Sequence, residues 1–277
     1  MHPGRGDRST APRITTTLLV APCVALLLAA SAHADALSDL RATLAGLDGH
    51  APIQATLDVK LTTTSKKENG GKPVSAETRL EIRAGDGLSV HIAQATLQQA
   101  ATEAAAVATN ADHPAPTVAL LNNGVDPVTL EHLVSEAPNL LRVLAPATTA
   151  SVKSTTLWGQ PVRELSVTLP QPKSANVTLK DYSDVLTLWL DAQGIPLASS
   201  EQTRFKACLL FLCAHTASSV NKTLQVVNGR LVATRQTTDQ QLSGLGQDSD
   251  TQTLYTLQIQ PAPAAATTAP PAAVSKP

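Results

Sequence analysis

Apolar and polar residues alternate along much of the chain, which is the pattern of half-buried β-strands. In the segment 57–61 every second residue is apolar, and the segment 76–83 repeats the alternation. Strict alternation places one strand face on a core and the other in water, as antiparallel sheets do. The sequence therefore predicts two strands here, and the turn 85–87 leads into a third strand at 88–92.

Three segments show helical spacing instead. Leucines recur every three or four residues over 36–47, and an Ala-rich stripe runs through 93–109. A third helix is predicted to begin at Asp126-Pro127, because Asp is a preferred N-cap and Pro is favoured in the first turn. Pro138 is expected to interrupt this helix before residues 140–144 resume it.

From residue 148 onward the chain is predicted to form a meander of strands. Turn signals occur at 159–161, 191–194 and 228–229. The predicted strands are 162–169, 185–190, 197–208, 213–227, 231–238 and 251–259. Together with the helices they predict an α+β domain.

Both ends of the chain differ in composition from this domain. Basic residues, the apolar run 17–30 and small residues before Asp35 predict a signal peptide over 1–34, cleaved after Ala34. The expected location is therefore the periplasm. At the other end, residues 261–277 are a Pro/Ala/Thr tail that we expect to be disordered. A single domain over 35–260 remains between them.

The composition excludes some classes of function. The formal net charge is -1, so the chain has no overall electrostatic attraction for nucleic acid, and we expect no nucleic-acid partner. Only 2% of the residues are aromatic, which leaves few rings for stacking on bases. With 43% hydrophobic residues the chain can bury a core.

Two cysteines remain after removal of the signal peptide, Cys208 and Cys213, and such a pair in an exported protein predicts a disulfide. Residues five apart on a straight strand point to opposite faces, so the bond requires a hairpin tip between them. That tip consists of Leu209, Leu210, Phe211 and Leu212. Four apolar residues at a tip suggest contact with a membrane surface, a lipid or a partner, or packing of the tip against its own domain.

No catalytic motif is present. The sequence has no Gly-x-Ser-x-Gly elbow, no His-Glu-x-x-His helix and no Gly-rich phosphate loop. Cys213 and His215 share a strand face, but Cys213 is assigned to the disulfide, and Asp181 and Asp184 are typical turn residues. We therefore expect no enzyme activity, no cofactor and no metal site.

Three segments resemble periplasmic lipoprotein carriers of the LolA-like superfamily. Residues 35–44 read Asp-Ala-Leu-Ser-Asp-Leu-Arg-Ala-Thr-Leu and are followed by Ala-Thr-Leu-Asp-Val-Lys-Leu at 55–61, which resembles the opening helix and strand of these carriers. Residues 188–197, Leu-Trp-Leu-Asp-Ala-Gln-Gly-Ile-Pro-Leu, resemble their strand–turn–strand. The resemblance implies a curved antiparallel sheet, an incomplete β-barrel, with helices covering a concave face that binds acyl chains.

The same resemblance implies a ligand site. The family has a cavity arginine on its second strand, and Arg83 takes that position here, followed by Ala84. Candidate lining residues on the helices are Leu97, Ala101 and Leu133, and the tip at 209–212 is a candidate entry point. Leu, Val and Ala are expected to line the cavity.

The sequence thus predicts an exported, non-catalytic protein that binds a hydrophobic ligand, either an acyl lipid or a lipoprotein. The alternative is an envelope interaction or regulatory module with a filled cavity, for which the tail could act as a tether and the Leu-rich tip as a docking site.

Overall fold

A computed structural model describes residues 36–65, 70–172, 178–209, 212–244 and 247–260. The predicted signal peptide, the C-terminal tail, and Leu210 and Phe211 of the tip lie outside these residues, as do the side chains of Leu209 and Leu212. The helices are α1 (36–45), α2 (Gln94–Thr109), α3 (Pro116–Gly124), α4 (Pro127–Val134) and α5 (Glu136–Leu144). The strands are β1 (Ile53–Ser65), β2 (Pro73–Ala84), β3 (Leu88–Ile92), β4 (Ser151–Leu157), β5 (Gln160–Thr168), β6 (Thr178–Leu190), β7 (Pro196–Leu209), β8 (Leu212–Val227), β9 (Arg230–Gly244) and β10 (Gln247–Ile259).

The strands form a ten-stranded sheet in the order β3-β2-β1-β10-β9-β8-β7-β6-β5-β4, with every neighbouring pair antiparallel. The chain therefore runs as a meander from β4 to β10, and β10 closes back onto β1. Helices α2 to α5 all lie in the connection between the edge strands β3 and β4. The predicted fold, an α+β protein with a curved, incomplete barrel, is confirmed.

The alternating pattern of the first strands gives the sheet its inner face. Leu57, Val59 and Leu61 of β1 are almost completely buried. Leu57 lies opposite Leu80 on β2 and opposite Leu257 on β10, which are also buried. Because each buried leucine contributes roughly 1.5–3 kcal/mol, this register is strongly preferred over a one-residue slip.

Helices α1, α4 and α5 close the apolar half of the sheet. Their buried residues include Leu40, Leu44, Leu130, Leu133, Leu140 and Leu144. Arg41 of α1 donates to the backbone oxygens of Leu144 and Ala147 at 2.6 and 2.8 Å, which ties α1 to the end of α5. These contacts make a continuous core between the helices and the strands.

The helices differ from the sequence prediction in two respects, one boundary and one additional helix. The break between α4 and α5 falls at Ser135, and Pro138 lies inside the first turn of α5. Proline is tolerated there because the amide it lacks has no partner within the helix. Helix α3 was not predicted. Its N-terminal amides, Thr117 N and Val118 N, donate to the carboxylate of Glu103 on α2 at 2.7 and 3.2 Å.

The cysteine prediction is confirmed. Cys208 and Cys213 lie directly opposite each other on β7 and β8 and form a disulfide. The bond therefore joins the two strands of a hairpin, as the spacing required. None of the helices in the described part of the chain is long and apolar enough to span a membrane.

The predicted N-cap of α4 is also confirmed and leads to a first prediction. The Asp126 carboxylate accepts from the Thr129 amide at 2.8 Å and from the Thr129 hydroxyl at 2.9 Å. Replacing Asp126 by Ala should lower the free energy of unfolding by about 1 kcal/mol, measured by urea denaturation. Asp112→Ala is the matched control, because that exposed carboxylate caps no helix.

The effect of Asp126→Ala should depend on pH. The hydrogen bonds from Thr129 lower the pKa of Asp126. A lowered folded-state pKa contributes stability above the unfolded-state pKa, about 3.9, and that stability is lost as the pH falls through the folded-state value. The deficit should therefore be full at neutral pH and shrink in acid. A deficit that is equal at all pH values would contradict the charged cap.

Candidate binding groove

A cavity of about 950 Å³ lies on the inner face of the sheet, beside the apolar core. Helices α3, α4 and α5 form one wall, and strands β1 and β7 to β10 form the other. The side chains that matter for its chemistry are His132, Arg142, Glu201, Lys222, Gln236 and Tyr255.

The strand register explains why this part of the inner face is polar. Tyr255, Thr253 and Thr251 of β10 lie opposite Gln236, Thr238 and Gln240 of β9, and all six line the cavity. The same face is apolar nearer the other end of these strands, where Leu257 and Leu231 are buried. The inner face therefore consists of an apolar half under the helices and a polar half that lines the cavity.

A buried ion pair joins the helical wall to the sheet. The Lys222 ammonium donates to both carboxylate oxygens of Glu136, each at 2.7 Å, and the Asn139 amide donates to one of them at 3.2 Å. Only 9% of the Lys222 side chain and 1% of the Glu136 side chain are exposed. Burial raises the pKa of Glu136, and the Lys222 ammonium opposes that rise.

Gln236 carries an unused hydrogen-bond acceptor beside this pair. It lies between Lys222 on β8 and Tyr255 on β10, and it is 5% exposed. Its Nε2 donates to the Thr238 hydroxyl at 3.2 Å, but its buried Oε1 has no partner within the part of the chain described here. An unpaired buried acceptor costs about 1–3 kcal/mol, so a ligand N–H or O–H that donates to it would remove this cost.

Three other titratable groups of the cavity, His132, Glu201 and Tyr255, are biased toward their neutral forms. Burial, and then the Lys222 charge, lower the pKa of His132. Burial, and then Asp184, raise the pKa of Glu201. Burial raises the pKa of Tyr255 to about 12, so its hydroxyl stays protonated. These three groups offer largely uncharged hydrogen-bonding partners, and the Arg142 guanidinium, which donates to the Asn139 amide oxygen at 2.8 Å, adds a cation to the wall.

A second recess, of about 460 Å³, adjoins the cavity. It lies between β1, β2, the loop before α3, and α3 itself. Its lining is mixed: Thr63, Asp112 and His113 are polar, and the apolar residues include Leu61, Val74, Ala76, Pro114, Ala115 and Pro116. Thr63 and Ala119 line both spaces, so the recess and the cavity meet beside α3. We call the two together the groove.

The residues predicted as a ligand site do not come together in the structure. Leu133 is 0% exposed and belongs to the closed core. Arg83 lies exposed on β2 and lines a separate depression near the turn at Gly85. Leu97, 47% exposed, and Ala101 lie on α2, which has no buried residue.

The lining also differs from the expected Leu, Val and Ala: polar side chains predominate in the cavity, and the smaller recess combines such apolar residues with Thr63, Asp112 and His113. Sequence reasoning missed Lys222, Gln236 and Tyr255. A run of polar residues at every second position of β9 was the available signal. The sequence alone does not show that these residues face inward. The register shifts opposite Thr223 and Leu224, where Thr234 has no partner residue on β8, and this bulge exchanges the two faces of β9 for the residues that follow.

No family model matches the chain, and no curated protein does so. Among solved structures, the chain is similar to a DUF1329 family protein from Desulfovibrio piger, with a TM-score of 0.31 and 10% identity. The likeness covers 81% of this chain and 92% of that one. In the described residues no three His, Cys, Asp or Glu side chains form a group that could hold a metal ion.

Proposed function

We propose that this protein is an exported, non-catalytic binding protein that holds an amphipathic ligand in the groove. The ligand is an acyl lipid or the acyl end of a lipoprotein. Its apolar chain occupies the recess between β1, β2 and α3, and its polar end occupies the larger cavity. This proposal keeps the hydrophobic ligand expected from the sequence and adds a polar group to it.

The observation that carries the proposal is that the recess, one part of which is apolar, and the more polar cavity share Thr63 and Ala119 in their linings. Both volumes fall within the roughly 300–1,000 Å³ of small-molecule sites. A wholly apolar ligand would leave the Gln236 oxygen without a partner, whereas a ligand with a hydroxyl or amide end can donate to it.

Binding is favoured over catalysis because two charged groups of the cavity, Lys222 and Asp126, already have partners within the fold. Lys222 is held by Glu136, and Asp126 is held by the first turn of α4. A nucleophile would need an adjacent base that is free to accept its proton. Export to the periplasm rests on the predicted signal peptide, and the disulfide suits an oxidising compartment.

The direct test is native mass spectrometry of protein purified from the exported fraction, with lipid extraction after denaturation. We expect a co-purifying acyl lipid or, in stripped protein, saturable binding of a dansyl-labelled fatty acid. Protein that yields no lipid and ignores the probe would contradict the proposal and favour the interaction module.

A variant that fills the junction of the two spaces tests their role. Ala119→Trp places a large ring where the recess meets the cavity, and the resulting overlap should weaken probe binding about tenfold or more. Ala105→Trp is the matched control, because this exposed position on α2 lines neither space. Equal affinity in both variants would show that the probe binds outside the groove.

A further inference from the structure

Four basic residues lie together on the outer face of the sheet. Lys180 of β6 is directly opposite Lys206 of β7, which is directly opposite His215 of β8. Arg204 is two residues from Lys206 on the same strand and therefore on the same face. Glu201 of β7 points into the groove. Arg204 and Lys206 are an odd number of residues away from Glu201 on the same strand, so they point away from the groove, as do their neighbours on β6 and β8. We call Lys180, Arg204, Lys206 and His215 the basic ladder.

No carboxylate of the described residues forms an ion pair with the basic ladder. In the described part of the chain none of its four side chains makes an ion pair or a side-chain hydrogen bond. One acidic residue, Asp181, lines with three of them a depression of about 350 Å³. Like charges directly opposite each other on neighbouring strands are destabilising. A bound anionic partner would remove that cost.

Two local features fix the geometry of the basic ladder. The register between β6 and β7 shifts after Lys180, where Asp181 has a φ of 52°, and such a bulge re-aims neighbouring side chains. The disulfide lies on the same face, two residues beyond Lys206 and two before His215. It therefore holds these two basic residues opposite each other.

We propose that the basic ladder docks the protein on an anionic membrane surface. Directly opposite residues of an antiparallel pair have Cα atoms about 5 Å apart, so the ladder is a compact array of basic groups that can contact several lipid phosphates. Docking through the outer face leaves the groove open on the inner face. The outer face becomes acidic at β9 and β10, with Asp239, Asp250 and Asp248, the last of which is separated from His215 by Ser243, so only the β6 to β8 side is attracted.

The sequence beside the basic ladder agrees with this partner. The segment between Cys208 and Cys213 is entirely apolar, and basic residues beside apolar ones are typical of proteins that bind at the membrane interface. The proposed site nevertheless consists of the four basic residues alone, and it does not depend on the ligand of the groove.

Cosedimentation of the full-length protein with vesicles tests the proposal. The vesicles contain phosphatidylglycerol mixed with phosphatidylcholine, or phosphatidylcholine alone. The variant Lys180→Gln/Arg204→Gln/Lys206→Gln should bind the anionic vesicles roughly 100-fold more weakly, about fivefold for each cation. The control Lys60→Gln/Lys72→Gln/Arg235→Gln removes the same charge from exposed positions elsewhere and should bind nearly as the unmodified protein does.

Several results would overturn the proposal. One is an equal loss in the control variant, because net charge would then explain it. Another is equal binding of the unmodified protein to neutral vesicles, and a third is binding to heparin without binding to vesicles. A salt titration of the unmodified protein needs no variant: binding should weaken steadily with ionic strength, and insensitivity to salt would exclude electrostatic docking.

Discussion

Replacing Lys222 by methionine should lower the free energy of unfolding by about 3–5 kcal/mol, measured by denaturant titration. The substitution keeps an unbranched side chain, one atom shorter, but removes the ammonium that donates to both oxygens of Glu136. The remaining carboxylate would be left charged in a site where only 1% of its side chain is exposed. The cost is large because the buried carboxylate would keep only the hydrogen bond from the Asn139 amide.

Two comparisons isolate the ion pair. In the double variant Glu136→Leu/Lys222→Met no charge is buried, so most of the lost stability should return. Lys153→Met breaks an ion pair with Glu164 in which 68% of the lysine side chain is exposed, and it should cost about 1 kcal/mol or less. If Lys222→Met and Lys153→Met lower the free energy of unfolding equally, the burial of the Glu136–Lys222 pair does not contribute to the cost of breaking it.

The deficit of Lys222→Met should also depend on pH. Burial raises the pKa of Glu136, and without the Lys222 ammonium that rise is larger. A carboxyl with a raised folded-state pKa contributes stability that is complete below the unfolded-state pKa, about 4.3, and is lost as the pH rises through the folded-state value. The deficit should therefore be greatest at neutral pH and shrink toward about pH 4.

Leu133→Ala should cost about 2–5 kcal/mol in the same assay. Leu133 is 0% exposed on α4, and its side chain fills the core between the helices and the sheet. The substitution removes buried methyl groups and leaves a cavity, since the surrounding strands cannot fully collapse. Leu97→Ala is the matched control, because Leu97 is 47% exposed on α2 and its loss should cost about 0.5 kcal/mol.

These two leucines also separate core packing from ligand contact. If Leu133 contacted ligand in an open cavity, Leu133→Ala would weaken fatty-acid binding and leave stability nearly unchanged. Because Leu133 lies in a closed core, we expect Leu133→Ala to lower the free energy of unfolding instead. Probe affinity measured on the folded fraction should then be similar in Leu133→Ala and in Leu97→Ala.

Local patterns in the sequence are sufficient for most of the elements. The turn at Asn228-Gly229 has positive φ at both residues, 52° and 75°, and the sequence signals it because these residue types tolerate that conformation. Asp126 caps α4 because its side chain reaches an amide three residues away. The disulfide also follows locally, since a spacing of five residues fits a hairpin and no straight strand.

The candidate site was not predictable in the same way. The sequence correctly favoured a covered concave face, but it placed Leu133 and Arg83 there. The structure places Leu133 in the core and Arg83 on the exposed side of β2. Helix α3, which forms the meeting point of the two spaces, depends on the Glu103 carboxylate at the preceding helix, and its own sequence carries no N-cap.

The sequence by itself determined the alternation of the strands, their hairpin turns, the cysteine pairing and the α+β class, because each depends on residues close together in the chain. Only the tertiary structure decided that Lys222 meets Glu136, 86 residues away, and that Gln236 turns its amide inward beyond a register shift in β9. Such contacts depend on which strand faces join across the sheet. One unpaired residue is enough to exchange the inner and outer faces of everything that follows.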